Sequence, residues 1–287
     1  MDLIPALDAS PTAGMAPGSP VLRVAIAGLG AIGRTLATKL AGGALPSAML
    51  AAVAVRDVAK GRQVLDGLAS DAPILPFAEL AQAADVVVEC LPAAAVGDLV
   101  AAVLDAGKKV MVLSVGVLLS RPDLIELARR RGGQIIVPTG ALIGLDAVTA
   151  AAEGTIQSVR IVTRKPPKGL IGAPYLVENG IEVADLAAPL RVFAGTAREA
   201  ARGFPANVNV AAALSLAGIG PDRTAQEIWA DPAMTRNRHE VTVVADSALM
   251  EMVIENIPSE NPKTGRITAL SVLAALRKMH APLRVGT

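Results

Sequence analysis

Gly28, Gly30 and Gly33 of GLGAIG, and the histidines His239 and His280, are the residues whose type and spacing suggest chemistry. The glycines fit G-x-G-x-x-G in register. Gly28 permits a tight turn, Gly30 lets the backbone approach a pyrophosphate, and Gly33 lets a helix close on a strand. The N–H groups of Ala31 and Ile32 open that helix, where unpaired donors and a positive dipole end favour an anion. Histidine titrates near neutral pH, at about 6.5 when unperturbed, so it suits proton transfer. The chain holds 27 basic and 26 acidic residues but two histidines. His239, in NRHEV, is therefore a candidate for proton handling. His280, in KMHAPLR, reads as a helix-end residue.

The surroundings of the glycine motif strengthen it. It follows the apolar run 21–27 and leads to LAAVAV at 50–55, both patterned as strands buried on two faces. ADVVVEC (84–90), KKVMVLS (108–114) and GQIIVPT (133–139) predict three more strands, with helices over 58–68, 93–106 and 121–131. Such alternation predicts an α/β, Rossmann-type parallel sheet with helices on both faces. The second strand, whose end would meet an adenosine ribose, finishes VAVRD. An acid there binds a ribose 2′-OH, whereas arginine can face a 2′-phosphate. Arg56 precedes Asp57, so both NAD and NADP stand as cofactors, with a solvated Arg–Asp turn as the plain alternative. Cys90 ends ECLP at a strand's carboxyl end. No histidine near it in sequence could activate it, and it reads as a small buried thiol.

Beyond TGALIGLDAVTAA the strict alternation stops. SVRIVTRKPP (158–167) and the stretches 192–195, 224–230, 239–246 and 249–256 are strand-like, and AREAARGF and NVNVAAALSLAG read as helices. Together they predict a smaller α+β domain with a mixed sheet. RITALSVLAALRKMH is a closing amphipathic helix. The expected division is a flexible leader over 1–20, a dinucleotide-binding domain over 21–140, and a catalytic and dimerisation domain over 141–265. The helix within 266–287 should pack back on the first domain.

Composition excludes several classes. A net charge of +1 gives no electrostatic reason to expect nucleic acid, and five aromatic residues make no base-stacking platform. A membrane span needs roughly 20 mostly apolar residues, and the longest uncharged run, 203–221, is interrupted by Pro205, Asn207, Asn209 and glycines. One cysteine and a leader without a secretory pattern point to the cytoplasm. No His or Cys spacing suits a metal.

Five stretches, GALIGLDAV, TRKPP, FPANVNVAAALSLAG, DP…NRHEV and NIPSENPKTGRITALSVLAALR, together resemble the L-aspartate dehydrogenase family. The resemblance runs from about residue 21 to about 280. It implies NAD- or NADP-dependent oxidative deamination of L-aspartate through iminoaspartate to oxaloacetate and ammonia, and the reverse reductive amination. The imine can feed nicotinate synthesis. It also implies that His239 is the catalytic histidine, and that Ala141 and Asn209 contact the cofactor, with Asn207 two residues away as the alternative to Asn209.

A substrate with two carboxylates calls for cations. Arg164, Lys165, Lys168, Arg236, Arg238, Lys263 and Arg266 are candidates, and Lys165 and Lys263 stand in family-like blocks. Thr264, at a helix start, offers backbone donors to a carboxylate. The alternatives are an oxidoreductase acting on another small amino or keto acid, or a silent NAD(P)-binding sensor. Sugar dehydrogenases with E-K-P where this chain has ECLP, and reductases with paired histidines, fit less well. A homodimer is expected by symmetry, through an exposed sheet of the second domain.

Overall fold

The computed structural model describes residues 20–140, 142–257 and 265–286. The leader up to residue 19, Ala141, Lys263 and Thr264 lie outside the described residues.

The first half runs β1 (Leu22–Ala27), α1 (Ala31–Ala41), β2 (Ala48–Ala54), α2 (Val58–Gly67), α3 (Phe77–Ala83), β3 (Val86–Glu89), α4 (Ala93–Asp105), β4 (Lys109–Met111), α5 (Gly116–Ser120), α6 (Asp123–Arg131) and β5 (Gln134–Ile136). The strands form a parallel sheet in the order β2-β1-β3-β4-β5. The order reverses beside β1, and the crevice at that reversal is where open α/β sheets bind ligands. The helix expected over 121–131 is α6, which starts after Pro122, and the short α5 just before it was not expected. Proline fixes φ and lacks an N–H, so it suits a helix start and not an interior. Gly132, at φ +69°, ends α6 in the left-handed region. The short α3 carries too few turns to show a period in sequence.

The second half runs α7 (Leu145–Ala152), β6 (Ile156–Lys165), α8 (Pro174–Glu178), β7 (Leu190–Thr196), α9 (Ala197–Gly203), α10 (Asn209–Ala217), β8 (Thr224–Ala230), β9 (Asn237–Ala245), β10 (Leu249–Asn256) and α11 (Ile267–His280). Its sheet has the order β10-β9-β6-β8-β7 and is mixed: β6 and β8 are parallel, the other pairs antiparallel. Thr196 and Glu199 cap α9 reciprocally.

Two buried layers join the halves. The inner face of the second sheet, with Val159, Ile161, Val241 and Val243, shares one core with α4, α7 and α10. On the far side of the first sheet, Ala269, Val272, Leu273 and Leu276 of α11 pack with Leu36 and Leu40 of α1. The last helix therefore returns to the first domain, bringing its first turn, with Thr268, beside the cavity between the halves. A smaller cluster under α8 and α9 holds the rings of Tyr175, Phe193 and Phe204, with centroids 5.3–5.6 Å apart.

Candidate active site

A cavity of about 1040 Å³ opens between the two halves. That is at the upper end of the roughly 300–1,000 Å³ usual for ligand sites. Its nucleotide end is built by the turn after β1. Gly28 sits at φ +97°, and a β-carbon there would lie 2.4 Å from the carbonyl oxygen of Cys90. A β-carbon on Gly33 would lie 1.9 Å from the Gly28 oxygen, so strand and helix backbones meet there. A β-carbon on Gly30 would meet nothing within 4 Å, which leaves that face open to a ligand. Gly30 caps α1 with no side-chain hydrogen bond and no acid in the first turn. The N–H groups of Ala31 and Ile32 thus have no intrahelical partner and face the cavity they line. This cradle fits a pyrophosphate.

Arg56 lines the same cavity and is exposed. Asp57 is engaged elsewhere: its side chain accepts from the Lys60 N–H at 3.1 Å to cap α2, and its other oxygen lies 3.5 Å from Lys60 Nζ. Of the VRD pair, it is the cation that faces the ligand space.

Glu89, at the end of the otherwise apolar β3, was not among the residues expected from sequence. It is fully buried and lines the cavity. Its carboxylate accepts from the N–H groups of Leu91 (2.7 Å), Leu113 (3.0 Å) and Ser114 (2.8 Å), and from Ser114 Oγ (3.2 Å). It thereby clamps the loops that follow β3 and β4. Burial holds its carboxyl above the ordinary carboxylate range against the pull of those four bonds. Burial, and then the Glu89 charge, push the neighbouring Cys90 thiol well up, which disfavours the nucleophilic thiolate.

The other end of the cavity belongs to the second sheet. Alternation puts Val159, Ile161, Thr163 and Lys165 of β6 on the inner face, and likewise His239, Val241 and Val243 of β9. The row is apolar until it nears the first domain, where Thr163, Lys165, His239 and Asn237 replace it. Lys165 is 4 % exposed, and its Nζ donates to Asn207 Oδ1 at 2.7 Å. His239 is 3 % exposed, and its Nδ1 lies 3.0 Å from Thr163 Oγ1. Burial, and secondarily the Lys165 charge, push the imidazole down to about 3. That shift favours the neutral ring.

Asn209, at the start of α10, accepts from the Gly116 N–H through Oδ1 at 3.1 Å, which leaves its amide N–H₂ group for a ligand. Asn207 and Asn209 both line the cavity, one steadying Lys165 and the other α5. Gly140, beside Ala141, donates its N–H to Ser271 Oγ at 3.1 Å, so α11 fixes that wall.

Other cations named from sequence point elsewhere. Arg164 lies over the Trp229 ring, 4.7 Å from its centroid, and near Glu240. Arg238 pairs with Glu240 at 2.8 Å and Glu255 at 2.7 Å. Lys168, Arg236 and Arg266 are exposed and do not line the cavity. Among the described residues, Lys165 and Arg56 are the cations in its wall.

Comparison with known proteins agrees with this layout. Residues 28–138 match the family model described as the homoserine dehydrogenase NAD binding domain, and residues 146–279 match that of the aspartate dehydrogenase C-terminal domain. The chain is 59 % identical over 266 residues to L-aspartate dehydrogenase 3 of Bordetella bronchiseptica, covering 93 % of this chain and 98 % of that one. It is 60 % identical over 269 residues to the L-aspartate dehydrogenase of Bradyrhizobium diazoefficiens, covering 94 % and 95 %. The crystal structure of aspartate dehydrogenase from Thermotoga maritima superposes with a TM-score of 0.70 at 26 % identity, over 92 % of this chain and 99 % of that one. With both halves matched in order and relatives near 60 % identity, the chain belongs to the aspartate dehydrogenase family.

Proposed function

We propose that this protein is an NAD(P)-dependent L-aspartate dehydrogenase, interconverting L-aspartate with oxaloacetate and ammonia through iminoaspartate. The observation that carries the reading is a single cavity joining the glycine cradle to a buried His239 and Lys165. NAD or NADP, when bound, supplies the hydride acceptor. Gly28, Gly30, Gly33, Ala31 and Ile32 would hold its pyrophosphate, and Arg56 would accommodate a 2′-phosphate. Asn209 offers its amide N–H₂ group, and Ala141 belongs to the same reading as a cofactor contact.

Lys165, steadied by Asn207, is the cation for a substrate carboxylate. A lysine that is 4 % exposed binds an anion strongly because little water competes. Lys263 and Thr264 belong to the same reading as contacts for the second carboxylate. His239 stands at the reacting carbon, where the amine is exchanged for a carbonyl and water must be placed on the imine. The domain division of 21–140 and 141–265, with the last helix returning, puts these two halves of the chemistry on separate supports.

A cytoplasmic homodimer completes the proposal. The outward face of the second sheet supports it: Trp229 lies under Arg164 and Arg191, ringed by Glu227 and Glu240 ion pairs. Among the described residues no helix is long and apolar enough to cross a membrane.

The test is oxidation of NADH and NADPH with oxaloacetate, with and without ammonium, for the natural protein and His239→Ala. Turnover that requires ammonium and collapses in the variant, while the cofactor still binds, is the expected result. Tight cofactor binding with no turnover would remove the substrate assignment.

A further inference from the structure

Thr163 and Gln226 were not needed to recognise the site, yet both are buried against its histidine, each 2 % exposed. Thr163 stands directly opposite His239 in the antiparallel β6–β9 ladder, which brings cross-strand side chains together. Gln226 reaches Thr163 from β8: its Nε2 donates to Thr163 Oγ1 at 3.2 Å and to the Glu227 carbonyl oxygen at 3.0 Å. Ile254, opposite His239 on β10, adds no titratable group.

This wiring settles where the protons lie. The amide of Gln226 must turn its nitrogen to Glu227, because two carbonyl oxygens 3.0 Å apart would repel. That nitrogen spends one proton on Glu227 and the other on Thr163. Thr163 Oγ1, having accepted one bond, has a single proton to give. Among the described residues its one remaining partner is His239 Nδ1. Were Nδ1 to donate instead, the hydroxyl proton would be left buried with no acceptor among the described residues, so Nδ1 accepts and the neutral ring carries its proton on Nε2. No described residue bonds Nε2, and His239 lines the cavity, so this N–H is presented to whatever binds there.

We propose that Thr163, oriented by Gln226, is a positioning residue that holds His239 as the Nε2–H tautomer, so that the imidazole meets the substrate as a neutral hydrogen-bond donor and not as a base. The proposal rests on the dehydrogenase reading for its substrate. The depressed pKa of His239 agrees with it, since a ring at about 3 stays uncharged at working pH. A neutral imidazole of lowered pKa is suited to polarising a carbonyl. In reductive amination, ammonia adds to the carbonyl carbon of the keto acid. The C–N bond forms as the C=O π bond breaks, and its electron pair settles on oxygen. His239 Nε2–H donates to that oxygen throughout and keeps its proton. One proton of the added nitrogen moves to the oxygen, giving the neutral carbinolamine. In the reverse direction the same N–H places the oxygen of the water that adds to the imine: the C–O bond forms as the C=N π bond breaks, and one proton of the water moves to the nitrogen.

The test is nitrogen-15 imidazole NMR on the full chain without ligand, read beside kinetics. Two histidines give two rings, and His280→Gln identifies which is His239. Expected is a protonated Nε2 and a bare Nδ1 on His239 from pH 6 to 9. Thr163→Val keeps the shape but removes the donor. In it the Nδ1–H form should appear and kcat should fall roughly tenfold or more, with cofactor affinity unchanged. Thr163→Ser, which keeps the hydroxyl, should restore both the spectrum and kcat. A natural protein with Nδ1–H or a charged ring, or a Thr163→Val variant as fast as the parent, would overturn the proposal. An Nε2–H ring in a protein without ammonium-dependent turnover would instead overturn the aspartate reaction, leaving the tautomer lock in place.

Discussion

Lowering the pH should destabilise this protein through one identifiable ring. In the native state His239 is held at about 3, whereas unfolded it returns to 6.5. Below 6.5 the unfolded chain takes up a proton that the folded chain refuses. The stabilisation from keeping His239 neutral is therefore complete above pH 6.5 and is lost as pH falls toward 3. Each pKa unit is worth about 1.36 kcal/mol, so the full loss is about 5 kcal/mol, of which roughly 2 kcal/mol is gone at pH 5. His239→Gln fills a similar space and has nothing to titrate. The assay is equilibrium urea unfolding at pH 8, 6.5 and 5, followed by the fluorescence of Trp229, the one tryptophan, which lies in β8 of the same sheet. Carboxylate contributions are common to both proteins and cancel. Between pH 8 and 5 the natural protein should lose roughly 2 kcal/mol more than the variant. Parallel losses would refute the neutral, buried ring.

Three substitutions probe the rest of the cavity. Gly33→Ala places a β-carbon 1.9 Å from a backbone oxygen that cannot swing aside. It should cost about 1–3 kcal/mol of stability and weaken cofactor binding at least tenfold in a fluorescence titration, whereas unchanged binding would deny the close strand–helix approach. Arg56→Ala should raise KM for NADPH about tenfold or more, the worth of a charge-assisted bond, and leave KM for NADH within about a factor of three. Equal effects on both cofactors would place Arg56 away from the 2′ position. Lys165→Met should lower kcat/KM for L-aspartate roughly 10- to 100-fold by removing a buried anion contact. Its NADPH dissociation constant should not change, and a variant with normal kcat/KM would assign the substrate carboxylates to other groups.

Much of this was legible because the first half obeys local rules. GLGAIG sits between a buried strand and a helix, so its spacing alone located the turn, and Gly28 and Gly33 are close-packed as that spacing requires. The second sheet was legible as strands, but its chemistry lay in parity. Thr163 and Lys165 fall on the same side of β6 as Val159 and Ile161, and a polar pair in core register marks a site. In VRIVTRK the cation is conspicuous, whereas Thr163 differs from its apolar neighbours only in parity. Gln226 could not be found this way, because its tie to Thr163 joins residues 63 apart. Glu89 closes an apolar strand, and its value comes from backbone donors at 113 and 114, which sequence does not display. The cations show the converse limit. Arg164 and Arg238 stand beside Lys165 and His239, but odd and even positions of a strand face opposite ways, and both arginines turn outward.

L-Aspartate deuterated at the α-carbon, incubated with this protein and NAD or NADP, tests the central claim most directly. If the substrate's Cα lies against the cofactor in the cavity between the two halves, the label must pass into the reduced nicotinamide ring at C4. The labelled substrate should also react more slowly than unlabelled L-aspartate, a primary isotope effect, and unlabelled L-aspartate should leave no deuterium in the ring. Reduced cofactor without deuterium, or no reduction by L-aspartate at any pH from 7 to 10, would contradict the assignment of this cavity to aspartate oxidation.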